Sequence, residues 1–249
     1  MQPNKDNYKC EQSYACSHPD KTKFSSGLQT TSFKLLDWGL IEYNQAWQKQ
    51  EEIFNRTILN KQNNQSTENY LILCEHPHVY TLGKSGDENN LLLNYIQLQA
   101  KDAQFVKTNR GGDITYHGPG QIVGYPIFDL ENFGIGLKQY IYNIEEAIIL
   151  TLQKYNIKGE RLQSASGVWL DVGKPNCRKI CAIGVRSSKF VTMHGFALNA
   201  NTQLEYFNHI NPCGFTDKGV TSIKKEIGSE VDLILLKEEL KTFLTKIFY

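Results

Sequence analysis

The 249-residue sequence contains no apolar run approaching the ~18 residues needed to cross a bilayer. That excludes a membrane-spanning helix of the usual kind. It also lacks an excess of either charge: Lys and Arg total 27, Asp and Glu 26. A general nucleic-acid binder carries a basic excess, so that class is excluded, while local charged docking patches are not. The opening stretch MQPNKDNYKCEQSYACSHPDKTK has no apolar segment of the kind a secretory signal needs, and the expected location is the cytoplasm. Neither nucleotide fingerprint is present, since G-x-G-x-x-G and G-x-x-x-x-G-K-[ST] are both missing. A zinc pattern is missing too. Cys10, Cys16 and His18 fall in a C-x5-C-x-H spacing that matches no common site, and Cys177 and Cys181 have no second Cys/His pair at a matching distance. In a cytoplasmic chain of this size the six cysteines are expected as reduced thiols.

What is present is a chain long enough to bury a core without disulfides or metal. Residues 1–32 are polar and without apolar periodicity, and read as a disordered N-terminal extension. From Phe33 onward the pattern is that of one compact domain, 33–249. Phe33–Asp37 reads as a strand, followed by a helix carrying Tyr43, Ala46, Trp47, Ile53, Phe54 and Ile58, and then by a polar loop at 60–65. Short strands are expected at Tyr70–Cys74, Val79–Leu82, Phe105–Thr108, Ile114–Tyr116 and Gln121–Phe128. The clearest helix covers 137–155. Strands return at Val168–Leu170, Ile180–Val185, Val191–Met193 and Phe196–Leu198, and a short helix is expected at 203–209. A last helix spans about 230–248 with Ser229 as candidate N-cap. The expected fold class is α+β (mixed α/β), a mixed sheet packed by helices.

Four segments carry chemistry. Arg110-Gly111-Gly112-Asp113-Ile114-Thr115-Tyr116-His117-Gly118-Pro119-Gly120-Gln121 places four glycines among orienting polar groups, which lets a ligand approach backbone closely. Lys179-Ile180-Cys181-Ala182-Ile183-Gly184-Val185 begins an apolar strand with a lysine. Alternation puts Lys179, Cys181 and Ile183 on one face and Ile180, Ala182 and Gly184 on the other. A partly desolvated lysine can accept a proton. Met193-His194-Gly195-Phe196-Ala197-Leu198-Asn199 suggests a bend at His-Gly, with small residues leaving room for an apolar ligand. Asn211-Pro212-Cys213-Gly214 sets a cysteine on a tight turn, as a nucleophile requires.

Taken together, in this order, the four segments resemble the lipoyl(octanoyl) transferase family over about residues 33–223. The resemblance implies a fold similar to the catalytic domains of biotin and lipoate protein ligases. It implies transfer of an octanoyl or lipoyl group from acyl carrier protein to a lysine of lipoyl domains. Those domains belong to acyltransferase subunits of 2-oxo-acid dehydrogenases and to the glycine-cleavage H protein. It implies Cys213 as acyl-carrying nucleophile and Lys179 as its partner. Substrate contacts would come from Arg110, Gly111, Gly112, Asp113, Ile114, Thr115, Tyr116, His117, Ala182, Ile183, Gly184, Gly195, Phe196 and Ala197. Gly111, Gly112, Gly184, Gly195 and Ala197 would make space for the chain. No cofactor or metal is implied, because a thioester donor is already activated. The sequence departs from the family at Cys181, where alanine is common, and in residues 1–31, which have no counterpart. The alternatives are an ATP-dependent lipoate or biotin protein ligase and a non-catalytic protein that docks lipoyl domains.

Overall fold

The computed structural model describes residues 32–211 and 219–249. The expectations for residues 1–31, and for the placement of Cys213, lie outside these residues.

The chain begins with β1 (Phe33–Leu40), α1 (Tyr43–Gln62), β2 (Asn69–Glu75) and β3 (Val79–Leu82). Next come α2 (Tyr95–Ala100), β4 (Gln104–Lys107), β5 (Ile114–His117), β6 (Gln121–Ile127) and α3 (Leu137–Gln153). It ends with β7 (Glu160–Leu162), β8 (Ala165–Leu170), β9 (Arg178–Ser188), β10 (Val191–Asn199), β11 (Gly219–Val220), α4 (Ile223–Ile227) and α5 (Leu233–Phe248). The main sheet runs β1-β2-β6-β10-β9-β8-β7, with β11 beside β9, and a small sheet has the order β4-β3-β5. β1 is parallel to β2, and β11 to the start of β9; the other neighbours in the main sheet are antiparallel. The expected mixed sheet packed by helices is what the chain forms. Among the described residues no helix is long and apolar enough to cross a membrane.

Each face of the main sheet has its own core because each helix has its own apolar stripe. α5 buries Leu236, Leu240, Leu244 and Phe248 at four-residue steps. They meet Ile144, Ile148 and Leu152 of α3 and Leu71, Ile122 and Leu198 of the sheet. Burying those four α5 side chains contributes about 6–12 kcal/mol before entropy is charged against it. On the opposite face α1 lays Ala46, Ile53 and Phe54 over Ile72, Val123, Met193 and Ala197. A third cluster joins Tyr80 and Tyr116 of the small sheet to Ile210 and Leu98.

Several boundaries differ from expectation for local reasons. α1 continues to Gln62 because Lys61 pairs with the buried Asp129 at 2.5 Å, so only the end of 60–65 is loop. Ser229 does not cap the last helix. Asp232 does, its side chain accepting from the N–H groups of Ile234 and Leu235, while Ser222 caps the separate α4. Val191–Met193 and Phe196–Leu198 are one strand, β10. Its turn from β9 uses Lys189 and Phe190, both at positive φ, the geometry a two-residue hairpin turn demands. α2, β7 and β11 had no periodic signal, being only two to six residues long.

Two of the glycines expected at the site are packed closely against neighbouring backbone. A Cβ on Gly195 would lie 2.1 Å from the carbonyl oxygen of Gly124, and one on Gly184 would lie 2.9 Å from that of Gly111. These glycines admit neighbouring backbone, and both also line the cavity described below. Gly195→Ala is expected to cost about 3 kcal/mol, the upper end for overpacking, because backbone must move. Gly136→Ala, with open space around it, should cost less than about 1 kcal/mol. Urea unfolding of the two variants checks the contrast.

Candidate active site

A cavity lies on the α1 face of the main sheet. Its floor is β9 and β10, its side walls are Trp169 of β8 and the 110–117 segment, and Tyr43 of α1 closes one side. Of the residues expected at the site, Lys179, Arg110, Gly111, Gly112, Asp113, Ile114, Thr115, His117, Ala182, Ile183, Gly184, Gly195, Phe196 and Ala197 line it. Tyr116 does not. Neighbours on β5 alternate, so its side chain turns to the other face. There its hydroxyl meets His78 Nδ1 at 2.7 Å and its ring stacks on Tyr206 at 4.9 Å.

Lys179 reaches the cavity through an irregularity. β8 pairs Val168 with Cys181 but Trp169 with Lys179, which leaves Ile180 as an extra residue in β9. This is a β-bulge, two residues opposing one. It turns both Ile180 and Cys181 into the core shared with α3 and α5, and sets Lys179 with Ala182 and Gly184 on the cavity face. The strict alternation that grouped Lys179 with Cys181 and Ile183 is therefore corrected. Lys179 Nζ lies over the Trp169 ring, 4.5 Å from its centre. Burial pushes the Cys181 thiol up from its ordinary value. That keeps it a thiol, a poor nucleophile.

β11 brings the chain back beside this lysine. Val220 pairs with Lys179, and Thr221 N donates to the Lys179 carbonyl at 2.9 Å. Amides then link β11 across the cavity floor. Asn199 Nδ2 donates to Thr221 O at 3.0 Å, and Gln121 Nε2 donates to Asn199 Oδ1 at 2.8 Å and to Tyr116 O at 3.1 Å. Those two bonds fix the Gln121 amide, so its Oε1 accepts from His117 Nδ1 at 2.7 Å. His117 Nε2 then accepts from the Thr81 hydroxyl at 3.3 Å. Arg110 is buried and committed nearby. Its Nη2 donates to Thr81 O at 2.6 Å and Oγ1 at 3.0 Å, and its Nη1 to Gly111 O at 3.1 Å. Gly112 turns the loop at φ +85°, and Gly111 N docks it on Val185 O at 2.9 Å. Asp113 braces the same turn, accepting from Ile114 N at 2.6 Å and Asn90 Nδ2 at 2.9 Å.

The other wall holds His194, at φ +61° in mid-strand. Such a conformation costs about 1–3 kcal/mol for a residue other than glycine. Extending the Phe196–Gly124 pair of β10 and β6 by two residues sets His194 opposite Pro126. Proline has no N–H for the ladder, which frees the strand to depart there. Sequence reasoning did not single out His194, Asn199, Trp169 or Tyr43 as site residues. Asn199 and His194 lay inside a segment already marked as unusual; for Tyr43 and Trp169 no local signal existed.

Three buried histidines are neutral. Burial pushes His76 down to about 4, and His117 and His194 down to about 3, with neighbouring positive charge adding to the effect on the last two. Each folded value lies below the ordinary 6.5, so the unfolded chain binds more protons once the pH falls under about 6.5. Folding stability is expected to decline from there toward pH 4, by on the order of 2–4 kcal/mol per pH unit for three groups together. Urea midpoints at pH 7, 6 and 5 measure it; an unchanged midpoint would contradict the neutral assignment.

Among the described residues no group of three or more His, Cys, Asp or Glu side chains is placed to hold a metal. Residues 42–245 match the family model of the lipoyl protein ligase A/B catalytic domain. The octanoyltransferase of Bacteroides thetaiotaomicron is 54% identical over 213 residues, covering 86% of this chain and 94% of that protein. That of Flavobacterium psychrophilum is 54% identical over 224 residues, covering 87% and 97%. Among solved structures, the bi-partite lipoate protein ligase of Thermoplasma acidophilum superposes with a TM-score of 0.66 at 12% identity, covering 87% of this chain and 84% of that one. A lipoate-protein ligase A bound with ATP gives 0.61 at 13%, covering 86% and 85%. The two structures share the fold; the two sequences share more than half their residues across nearly the whole described chain. The chain belongs to the lipoyl protein ligase A/B catalytic-domain family, and within it to the octanoyltransferases.

Proposed function

We propose that this acyltransferase moves an octanoyl group from acyl carrier protein to the lysine of a lipoyl domain, through a thioester on Cys213, as a step of lipoate biosynthesis. The observation that supports this most is the place of Lys179: bulged onto the cavity face, over Trp169, beside β11. Residues 212–218, which carry Cys213, join the chain at Gly219, the first residue of β11.

The chemistry then runs in two balanced halves. Lys179, as free amine, takes the Sγ proton of Cys213. The thiolate attacks the donor thioester carbonyl, the new C–S bond forms, and the donor thiol departs with the proton Lys179 holds. The acceptor lysine amine next attacks the Cys213 thioester. An amide forms, Cys213 leaves as thiolate, and Lys179 takes up the amine proton. The acyl chain lies along Ala182 and Ala197, which face each other across β9 and β10 in the cavity floor. His117 and Arg110 hold the walls through Thr81 and take no proton. Neither half needs nucleotide or metal, since the thioester supplies its own activation.

Incubation with octanoyl-acyl carrier protein, followed by intact-protein mass spectrometry, tests this reading. One octanoyl adduct is expected, discharged when a lipoyl domain is added. Consumption of ATP and free lipoate, with no adduct from the carrier protein, would instead favour a ligase.

A further inference from the structure

Lys179 stands on two very short ladders. On one side β8 supplies only Trp169 opposite Lys179 and Leu170 opposite Arg178 before the bulge at Ile180 interrupts the pairing. On the other side β11 supplies only Gly219 opposite Arg178 and Val220 opposite Lys179. Ladders this short hold a register weakly, and a slip of one residue sends every side chain to the other face. An anchor outside the ladders is present at Arg178, the residue before Lys179.

The Arg178 guanidinium reaches beyond both flanking strands. Its Nε and Nη2 donate to Glu226 Oε1 and Oε2 of α4, at 2.7 and 2.6 Å, and its Nη1 donates to the carboxylate of Asp171, just after β8. The fork onto Glu226 is bidentate, the strong and directional form of an Arg–carboxylate pair. Glu226 Oε1 also accepts from the hydroxyl of Thr221, the residue after β11, whose N–H bonds the Lys179 carbonyl at 2.9 Å. One carboxylate therefore ties the residue before Lys179 to the residue after its β11 partner. α4 is itself held: Ser222 caps it, and Lys224 N donates to Ala200 O at 2.9 Å. Asp171, Arg178 and Glu226 do not line the cavity.

We propose that Glu226 is a positioning residue for acyl transfer, acting through Arg178 to hold the Lys179 amine where it exchanges protons with the thiol. The proposal rests on the reading above, in which Lys179 is that proton carrier. Misplacing a reacting group by about 1 Å costs on the order of 10²-fold in rate, whereas a partly exposed ion pair adds little to stability. Loss of the fork is expected in the rate and hardly at all in the fold.

A double-mutant cycle tests it, read as single-turnover rates of octanoyl adduct formation at pH 7 with saturating octanoyl-acyl carrier protein. Glu226→Gln keeps the side-chain size but breaks one arm of the fork. It should slow the reaction about 10–100-fold and leave the urea midpoint nearly unchanged. In the Lys179→Ala background the same substitution should change the rate less than about twofold, because the group it positions is gone. Arg178→Lys, which keeps the charge and loses the fork, should give the same pattern. Equal losses in both backgrounds, or no loss in the first, would overturn the proposal and leave the transferase reading intact. Alkylation of Cys213 by iodoacetamide, followed by peptide mapping, needs no acyl donor. The pH midpoint of its rate should move in Glu226→Gln toward that of Lys179→Ala; a midpoint held at the wild-type value would overturn the proposal. Absence of an octanoyl adduct on wild type would sink the transferase reading separately, with the alkylation profile still deciding the role of Glu226.

Discussion

Cys213→Ala is expected to abolish both the octanoyl adduct and transfer to the lipoyl domain, with the fold retained. The thiolate is the nucleophile, and a cysteine reacts in proportion to how readily it ionises. The other thiols among the described residues are badly placed for this. Cys74, Cys177 and Cys181 are all buried, and burial pushes Cys74 and Cys181 well up from the ordinary thiol value. Cys181 also points into the core under α3, away from the cavity. Cys181→Ala and Cys177→Ala should therefore keep substantial activity. Peptide mapping of the adduct in wild type and each variant decides the matter. Octanoyl on the Cys181 peptide, or full transfer by Cys213→Ala, would sink the assignment.

Lys179→Ala should slow adduct formation by about 10²–10⁴, the loss typical of a missing general acid or base. A free cysteine ionises near pH 8.5, so without the lysine most Cys213 stays protonated at neutral pH. Raising the pH should restore part of the rate, because hydroxide then does what the amine did. Single-turnover rates of adduct formation between pH 7 and 9.5 measure this. In wild type the rate should rise less steeply over the same range. A Lys179→Ala enzyme with the wild-type rate at pH 7 would remove Lys179 from the chemistry. Transfer that fails equally at every pH would point to a positional role instead.

Much of this was legible in the sequence because it is local. The stripes of α1, α3 and α5 could be read from three- and four-residue spacing, since a helix must bury one face. The apolar runs that became β2, β3 and β6 were equally plain. The segments holding Arg110, Lys179, Gly195 and Cys213 stood out by composition, and their joint resemblance indicated one family without any coordinates. Short elements such as α2, β7 and β11 escaped because two to six residues carry no period. Ser229 and Asp232 both stand just before the same apolar stripe, and only backbone geometry makes Asp232 the cap.

The tertiary structure alone decided which way the site residues face. Alternation along β9 gave Lys179 to the side of Cys181; the bulge at Ile180 gave it to the cavity, because β8 takes one fewer residue to cover the same length. Alternation along β10 gave His194 to the α3 side; an αL backbone opposite Pro126 gave it to the α1 side. Only the packed chain shows that Gly184 and Gly195 also admit a neighbouring loop and strand, since a Cβ at either would meet backbone. Composition and period are properties of a segment and survive in the sequence. The side a strand residue faces depends on how many residues its partner strand spends over the same distance, and that is settled only when the strands pair.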